Sequence, residues 1–476
     1  MDYIRVEGSL ILPAKVDGSP DVFQRPYFTL VKPEWVPDEQ CSYCELCSVK
    51  FTQVKRRHHC RMCGAVRCAQ CCSQKIPLPQ LGLEEAERVC HACKTVAELV
   101  TKARSSNEST ILEAAKGLST FAKHEKHIKK LLELGGTQTL VVLASVDNIN
   151  VLGHVTSGLH ALVTHPSLHK HLAESGVIKA ICKILSHVGD TQEQIAIDGI
   201  SSLMIFCKYQ SLKTKVLIDG GLQPVLSLCW SNKTAISLLS ITTLGLIAEL
   251  PATHTTIYDN RQNAVSRLLQ LANAPDEQLQ EVALKTLAYL STGLDEYRHR
   301  LVQEDSSTGH CLQTALKSSP INPQILCNAA CLTANLATSA QDQNELQELL
   351  WTVCQKLPQA DANTELLCHL TRALANFSQH KQNTNILINT IPDVVKYCLK
   401  SPDSSVQLQG MRLLINLLTH APARVSSLIV RKGSSSVFPA LVRIKVNLIL
   451  VQSKGIRGLS SQPHQVWKQL GSVINR

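Results

Sequence analysis

Ten of the 19 cysteines lie between Cys41 and Cys93. Eight of these form four Cys-x-x-Cys pairs: Cys44/Cys47, Cys60/Cys63, Cys68/Cys71 and Cys90/Cys93. Gaps of 12, 4 and 18 residues separate them. A two-residue gap lets both thiolates of a pair reach one Zn²⁺ at ~2.3 Å with tetrahedral angles. Two pairs close one site, so four pairs make two sites of four thiolates each. Such closed sites are structural, because no position remains for water or substrate. A disulfide framework would need an oxidising compartment. The start of the chain, MDYIRVEGSLILPAKV, has neither the basic nor the long apolar region of a secretory signal. Cys41 and Cys72 are left over. Cys41 stands at the same spacing from Cys44, so the first pair could slip. The other nine cysteines are scattered in apolar surroundings and read as free core thiols.

Charge is patterned around the same segment. No acidic residue occurs between Glu45 and Glu84, while seven basic ones do: Lys50, Lys55, Arg56, Arg57, Arg61, Arg67 and Lys75. Near an anionic leaflet each basic residue is worth ~1 kcal/mol. Arginine forks match phosphate oxygens better than lysine does. No aromatic base-stacking set accompanies the basic run, so nucleic acid is not an expected partner.

Three elements narrow the kind of finger. Arg56-Arg57-His58-His59-Cys60-Arg61, Trp35-Val36-Pro37-Asp38 and Arg88-Val89-Cys90 occur in that order. Together with the twelve-residue gap before Cys60, they resemble the RRHHCR, WxxD and RVC elements of FYVE-type zinc fingers. The resemblance covers about residues 33–97 and selects Cys44 and Cys47 as the first pair. It implies two zinc ions in a cross-brace, one held by Cys44, Cys47, Cys68 and Cys71 and the other by Cys60, Cys63, Cys90 and Cys93. It also implies binding of phosphatidylinositol 3-phosphate. Arg61 and Arg88 would grip the 3-phosphate, and Arg56 and Arg57 the remaining phosphate charge. His59 and Asp38 would bond ring hydroxyls, Trp35 would brace the pocket, and His58 would contact the headgroup too or support the fold. The family's insertion loop usually carries two apolar tip residues. Here it reads Phe51-Thr52-Gln53-Val54. With Phe51 expected inside the finger, Val54 alone is left to insert, worth roughly 1.5–3 kcal/mol at most.

The elements around the finger differ sharply from it. Residues 1–32 carry several prolines and no periodicity, and read as an irregular lead-in. From residue 98 to 476 helical periodicity is almost unbroken. An apolar i, i+3 pair recurs as Leu118–Phe121, Leu159–Leu162, Leu203–Phe206, Leu244–Ile247 and Leu287–Leu290. It continues as Thr333–Leu336, Leu374–Phe377, Leu414–Leu417 and Ile456–Leu459. The mean period of about 42 residues lies in the armadillo/HEAT range. A second phrase keeps step at Gly136, Gly176, Gly221 and Ile391. No repeat of this length buries its apolar face alone, so neighbours must stack.

Ala334-Asn335-Leu336, Ala375-Asn376-Phe377 and Ile415-Asn416-Leu417 resemble the Asn-Leu phrase of armadillo third helices. This second resemblance implies a right-handed α-solenoid of about nine repeats. In that family an asparagine ladder in the groove holds extended peptide. Here the ladder is reduced to Asn335, Asn376 and Asn416, so a packing role competes with binding. The residues four before them are Cys331, Arg372 and Arg412, where nuclear-import relatives carry Trp. Arg372 and Arg412 favour an acidic peptide. Residues 101–476 also carry 35 Lys+Arg against 26 Asp+Glu.

The whole chain of 476 residues is 44% hydrophobic, only 4% aromatic and carries a net charge of +10. That balance suits stacked aliphatic helices and excludes a chain disordered throughout. No run of 18 apolar residues occurs. The nearest, 440–451, is broken by Arg443, Lys445 and Asn447, which argues against a transmembrane helix. No GxSxG, GxxxxGK[ST], HExxH or GxGxxG is present. The expected fold is therefore mostly α, a small two-zinc cross-brace finger followed by an armadillo-like solenoid. The expected function is a non-enzymatic, cytoplasmic adaptor, peripheral on early endosomes. A RING-like ubiquitin ligase component and a scaffold whose finger no longer binds lipid are the alternatives. The groove partner is an unidentified protein. No heptad segment specifies a coiled-coil dimer, and a homodimer stays open.

Overall fold

The computed structural model describes residues 3–6, 8–18 and 27–430. The apolar run at 440–451 and the ninth pair, Ile456–Leu459, lie outside the described residues. Contacts divide the chain into two compact units, Met1–Ile247 and Ala248–Arg476.

The first unit opens with a short hairpin, β1 (Ile4–Val6) against β2 (Ser9–Ile11), where the sequence showed no period. The chain beyond it ties the finger to the first helices. Ala14 N–H donates to the Leu132 carbonyl at 2.9 Å, and Gln138 Nε2 donates to the Ala14 carbonyl at 2.9 Å. Leu30 N–H donates to Gln80 O at 2.8 Å. The Leu30 side chain is buried against Gly135, whose φ of +85° and tight contact suit glycine alone.

The finger contains two hairpins, β3 (Arg57–His59) with β4 (Val66–Cys68) and β5 (Gln74–Leu78) with β6 (Leu83–Val89). Helix α1 (His91–Lys102) starts directly after Cys90 and includes Cys93, so the last ligand pair is fixed at a helix start. Val96, Ala97 and Val100 of α1 are buried, and α1 packs on α2 (Glu108–Ala122).

From α2 onward one long helix recurs in each repeat: Glu108–Ala122, Ile149–Val163, Glu193–Cys207, Thr234–Ala248, Glu277–Leu290, Pro323–Leu336, Thr364–Phe377 and Ser404–His420. Most begin at a side-chain cap that accepts first-turn N–H groups, namely Asn107, Asn148, Asp276, Asn322, Asn363 and Asp403. In the first unit Ile149–Val163 packs between Glu108–Ala122 and Glu193–Cys207. In the second, the helices from Glu277–Leu290 to Ser404–His420 stack in order. The recurring apolar pairs form the core of these stacks: every member from Leu118 to Leu417 is at most 2% exposed except half-buried Phe121. The second phrase opens the shorter helices Gly136–Leu143, Val177–Val188, Leu222–Leu228 and Ile391–Asp393. Among the described residues no single helix is long and apolar enough to cross a membrane.

Several dispersed polar residues have a shared structural task. His169 Nε2 lies 2.7 Å from the Val163 carbonyl oxygen and His254 Nε2 lies 2.8 Å from that of Ala248. Gln343 donates to Ala337 O at 3.2 Å and Asn383 to Phe377 O at 3.0 Å. Each reaches back six residues to a carbonyl that the end of a long helix leaves without an intrahelical partner.

Candidate functional site

The eight cysteines of the four pairs gather into two groups, Cys44/Cys47/Cys68/Cys71 and Cys60/Cys63/Cys90/Cys93. Within each group all sulfurs lie within 4.8 Å of one another. The Cys47 and Cys68 sulfurs are 3.6 Å apart, close to the ~3.8 Å edge of a tetrahedron with ~2.3 Å zinc–sulfur bonds. Backbone N–H groups support the thiolates: Cys71 donates to Cys68 Sγ at 3.4 Å and Cys90 to Cys60 Sγ at 3.3 Å. Four thiols this close cannot all ionise unaided. Burial opposes ionisation of Cys44, but backbone hydrogen bonds outweigh it and bring the thiol to about 7. Burial and then the sulfurs of Cys47 and Cys68 push Cys71 up to about 12. The Cys60 and Cys63 sulfurs drive Cys93 far upward. A divalent cation at each centre removes that conflict and lets all four ionise. The donor sets fit two zinc ions, in the crossed order 1–3 and 2–4 of the pairs.

Neither leftover cysteine belongs to either group. Cys72 is fully buried and its carbonyl accepts from Arg88 Nη1 at 2.7 Å. The Cys41 carbonyl accepts from Arg57 Nε at 3.0 Å. Both therefore contribute backbone anchors for arginines.

The basic face is built on this frame. β3 pairs Arg57 with Cys68, His58 with Arg67 and His59 with Val66. Trp35 and Asp38 come to it because Val36 N–H donates to Gly64 O at 3.1 Å. Gly64 has φ +73°, and a Cβ there would stand 2.2 Å from the Glu34 carbonyl oxygen, so only glycine permits the approach. His59 stacks on Trp35 at 4.7 Å, with Nε2 2.9 Å from Val36 O and 3.7 Å from Asp38 Oδ1. The Arg61 guanidinium lies over the Trp35 ring at 4.3 Å. Arg61 N–H donates to Arg88 O at 2.9 Å, which brings the two arginines together from 27 positions apart. Arg57 lies over the ring of buried Phe51 at 5.0 Å. Arg56 is exposed. Burial and then the charges of Arg88 and Arg56 hold the His58 imidazole below its ordinary value, so it is neutral near pH 7. Phe51 is 6% exposed and Val54 is 90% exposed, so Val54 is the apolar side chain left at the loop tip.

Two features of this face were not legible in the sequence. Arg67, one of the seven cations of the acid-free segment, is turned away from it. Its side chain is only 12% exposed and is bonded to Glu45 at 2.7 Å. Glu87, just outside that segment, reaches back to Arg61 Nε at 3.3 Å. The Arg61–Arg88 backbone bond brings it there; the spacing of the motif carries no such signal.

Residues 34–98 match the family model described as FYVE zinc finger, and residues 312–451 match the one described as Armadillo-like. The chain carries a FYVE zinc finger followed by an armadillo-like region. The finger is 47% identical over 68 residues to a Lateral signaling target protein 2 homolog of Brugia malayi, covering 14% of this chain and 11% of that protein. It is 41% identical over 92 residues to a human 1-phosphatidylinositol 3-phosphate 5-kinase, covering 19% and 4%. It is 51% identical over 75 residues to human Zinc finger FYVE domain-containing protein 9, covering 15% and 5%. The matches thus span a small fraction of each relative. An engineered protein of known crystal structure superposes with a TM-score of 0.59 at 18% identity, over 80% of this chain and 99% of its own. That likeness shows the repeat fold alone.

The asparagines of the armadillo-like region are already bonded within the stack. Asn335 Nδ2 donates to Ala288 O at 3.1 Å and Ser291 Oγ at 2.9 Å. Asn376 Nδ2 donates to Ala334 O at 2.7 Å, and Asn416 Nδ2 to Ala375 O at 3.2 Å and Ser378 Oγ at 2.9 Å. Each accepting carbonyl lies in the last turn of the preceding long helix. Arg412 donates to Asn376 Oδ1 at 3.2 Å, and Arg372 to the Cys331 carbonyl at 3.1 Å. Both arginines remain half-buried rather than covered. No acidic side chain is paired with either among the described ion pairs. Burial and then the Arg372 charge lower the Arg412 guanidinium.

Proposed function

We propose that this chain is a membrane adaptor. Its finger, about residues 33–97, binds phosphatidylinositol 3-phosphate on early endosomes, and its solenoid, from about residue 98, binds a protein partner. The reading is supported above all by the meeting of Trp35, Asp38, His59, Arg61 and Arg88 on one face from three separate segments. Arg61 and Arg88 take the 3-phosphate, Arg56 and Arg57 the phosphodiester charge, and His59 with Asp38 the ring hydroxyls. Val54 enters the bilayer. The acid-free arginine pair Arg372 and Arg412 favours an acidic partner, with Asn335, Asn376 and Asn416 shaping the wall beside it. The adaptor does no chemistry: zinc is fully ligated by cysteine, leaving no open position for a reaction.

Vesicle sedimentation tests the reading. The full chain should bind vesicles containing phosphatidylinositol 3-phosphate and ignore those in which the phosphate stands at other ring positions. Equal binding to all phosphoinositides would sink it. A second reading, the finger as a lipid-blind cap of the solenoid, has one observation in its favour. The 8–18 and 27–31 segments and α1 hold the finger against the first repeats.

A further inference from the structure

Arg61 has more partners than any other arginine of the basic face. Trp35 lies under it, His59 O accepts from Nη1 at 3.3 Å, and Glu87 Oε2 stands 3.3 Å from Nε. Both side chains of the ion pair are 33% exposed, so the pair sits at the rim of the face rather than in the core. β6 puts Glu87 one residue before Arg88, and the Arg61–Arg88 backbone bond brings the Glu87 carboxylate to Arg61. Across the hairpin Glu87 faces Ile76, while Arg88 faces Lys75, so the register supplies Glu87 with no cation of its own.

Resting on the reading of Arg61 as a phosphate ligand, we propose that Glu87 sets the strength of headgroup binding by competing with the phosphomonoester for Arg61. Two effects oppose each other. The carboxylate orients the guanidinium, which helps binding, and it repels an arriving dianion, which hinders it. Orientation is redundant, because Trp35 and the His59 carbonyl hold the same guanidinium from other sides. Among the described ion pairs Glu87 has no second cation to offset the repulsion at contact range, so repulsion wins. The free finger thus carries its own anion in the place the ligand's anion needs. It binds more weakly than its arginines alone would allow. A finger with one apolar tip residue and a competed arginine relies on a second attachment to stay on a membrane.

The test titrates the full chain with phosphatidylcholine–phosphatidylserine vesicles, with and without phosphatidylinositol 3-phosphate, and with soluble inositol 1,3-bisphosphate. Glu87→Gln should tighten binding to the lipid and to the soluble headgroup by about 5-fold, the effect of one unit charge at such a surface. Glu84→Gln makes the same charge change in the same strand without an Arg61 contact, and should alter both by less than about 2-fold. Arg61→Ala combined with Glu87→Gln should gain nothing over Arg61→Ala. Zinc content of two per chain in each variant certifies the fold. If neither wild type nor Glu87→Gln prefers the 3-phosphate vesicles, the lipid reading of the finger fails. If wild type binds and Glu87→Gln binds equally or more weakly, the carboxylate orients rather than competes and the inference is overturned. An equal gain from Glu84→Gln would overturn it too, leaving net charge as the cause. A gain on vesicles but none on the soluble headgroup would move the effect from the phosphate to the leaflet and overturn it likewise.

Discussion

The finger and the helical repeats both use polar side chains on backbone carbonyls, but to opposite ends. In the finger, Arg57 and Arg88 each give one N–H to a backbone carbonyl, with Arg57 exposed and Arg88 half-buried. In the repeats, Asn335, Asn376 and Asn416 turn inward to last-turn carbonyls of the preceding repeat. The difference follows from what stabilises each region. The apolar cluster around the first zinc site is small, with Phe51 and Val66 beside Cys44, Cys68 and Cys71. Metal–thiolate bonds must supply the folding energy there, which leaves Arg56 and Arg57 at the surface. A helix stack has apolar core in plenty but ends each long helix with unsatisfied carbonyls. Its polar side chains are recruited to close them.

The largest effect expected from this contrast is on metal removal. A strong chelator should release two Zn²⁺ per chain and abolish the folded signature of the finger, while most of the far-ultraviolet helical signal persists. Release of a single ion, measured by a colorimetric zinc assay, would break the two-centre assignment. Loss of helix in proportion to zinc would break the contrast itself.

Next in size are the arginines of the basic face. On the proposed lipid reading, Arg57→Ala, Arg61→Ala and Arg88→Ala each remove a charge-assisted contact worth roughly 1.5–3 kcal/mol. Binding to phosphatidylinositol 3-phosphate vesicles should weaken about 10-fold or more, with thermal stability nearly unchanged. A fall in melting temperature without loss of binding would mean that these residues are pins, like the asparagines.

The complementary test is Asn376→Ala. It leaves the Ala334 carbonyl and one Arg412 N–H without their partner. The expected cost is about 1–3 kcal/mol of stability, read from denaturant unfolding of the full chain. If stability holds and only partner capture is lost, the asparagine binds peptide rather than its neighbour. Adding Arg372→Glu should then reduce capture of an acidic partner further, because it places a like charge where the guanidinium stood.

The smallest effect concerns the loop tip. Gln53 is exposed beside Val54. Gln53→Leu should tighten vesicle binding by about 5-fold through added apolar burial, without changing which headgroup is chosen. A change in headgroup preference would show that the loop, not the arginine face, reads the lipid.

Much of this was legible in the residues alone. The zinc ligands could be read because both thiolates of each pair come from a local turn of four residues. The repeat could be read because its apolar pairs recur at a fixed period, and Asn107, Asn148 or Asp276 mark where long helices begin. Phe51 and Val54 differ in burial because the motif places one under Arg57 and the other at the turn. The lead-in gave no such signal. Its hairpin is local but lacks alternation, and the bonds of Ala14 to Leu132 and Gln138 depend on partners more than 100 residues away.

By itself the sequence determined what is local or periodic: which cysteines pair, where cations cluster, how long a repeat is and which face of each helix is apolar. Only the tertiary structure decided which charges remain available. Arg67 is withdrawn by Glu45, Arg61 is shared with Glu87, and Asn376 is taken by Ala334 and Arg412. The reason is physical. A charge or an amide is neutralised by whatever lies within about 3–4 Å. In this chain those neighbours stand 22 to 42 residues away along the sequence, brought near by a zinc knuckle, a backbone hydrogen bond or the stacking of one repeat on the next.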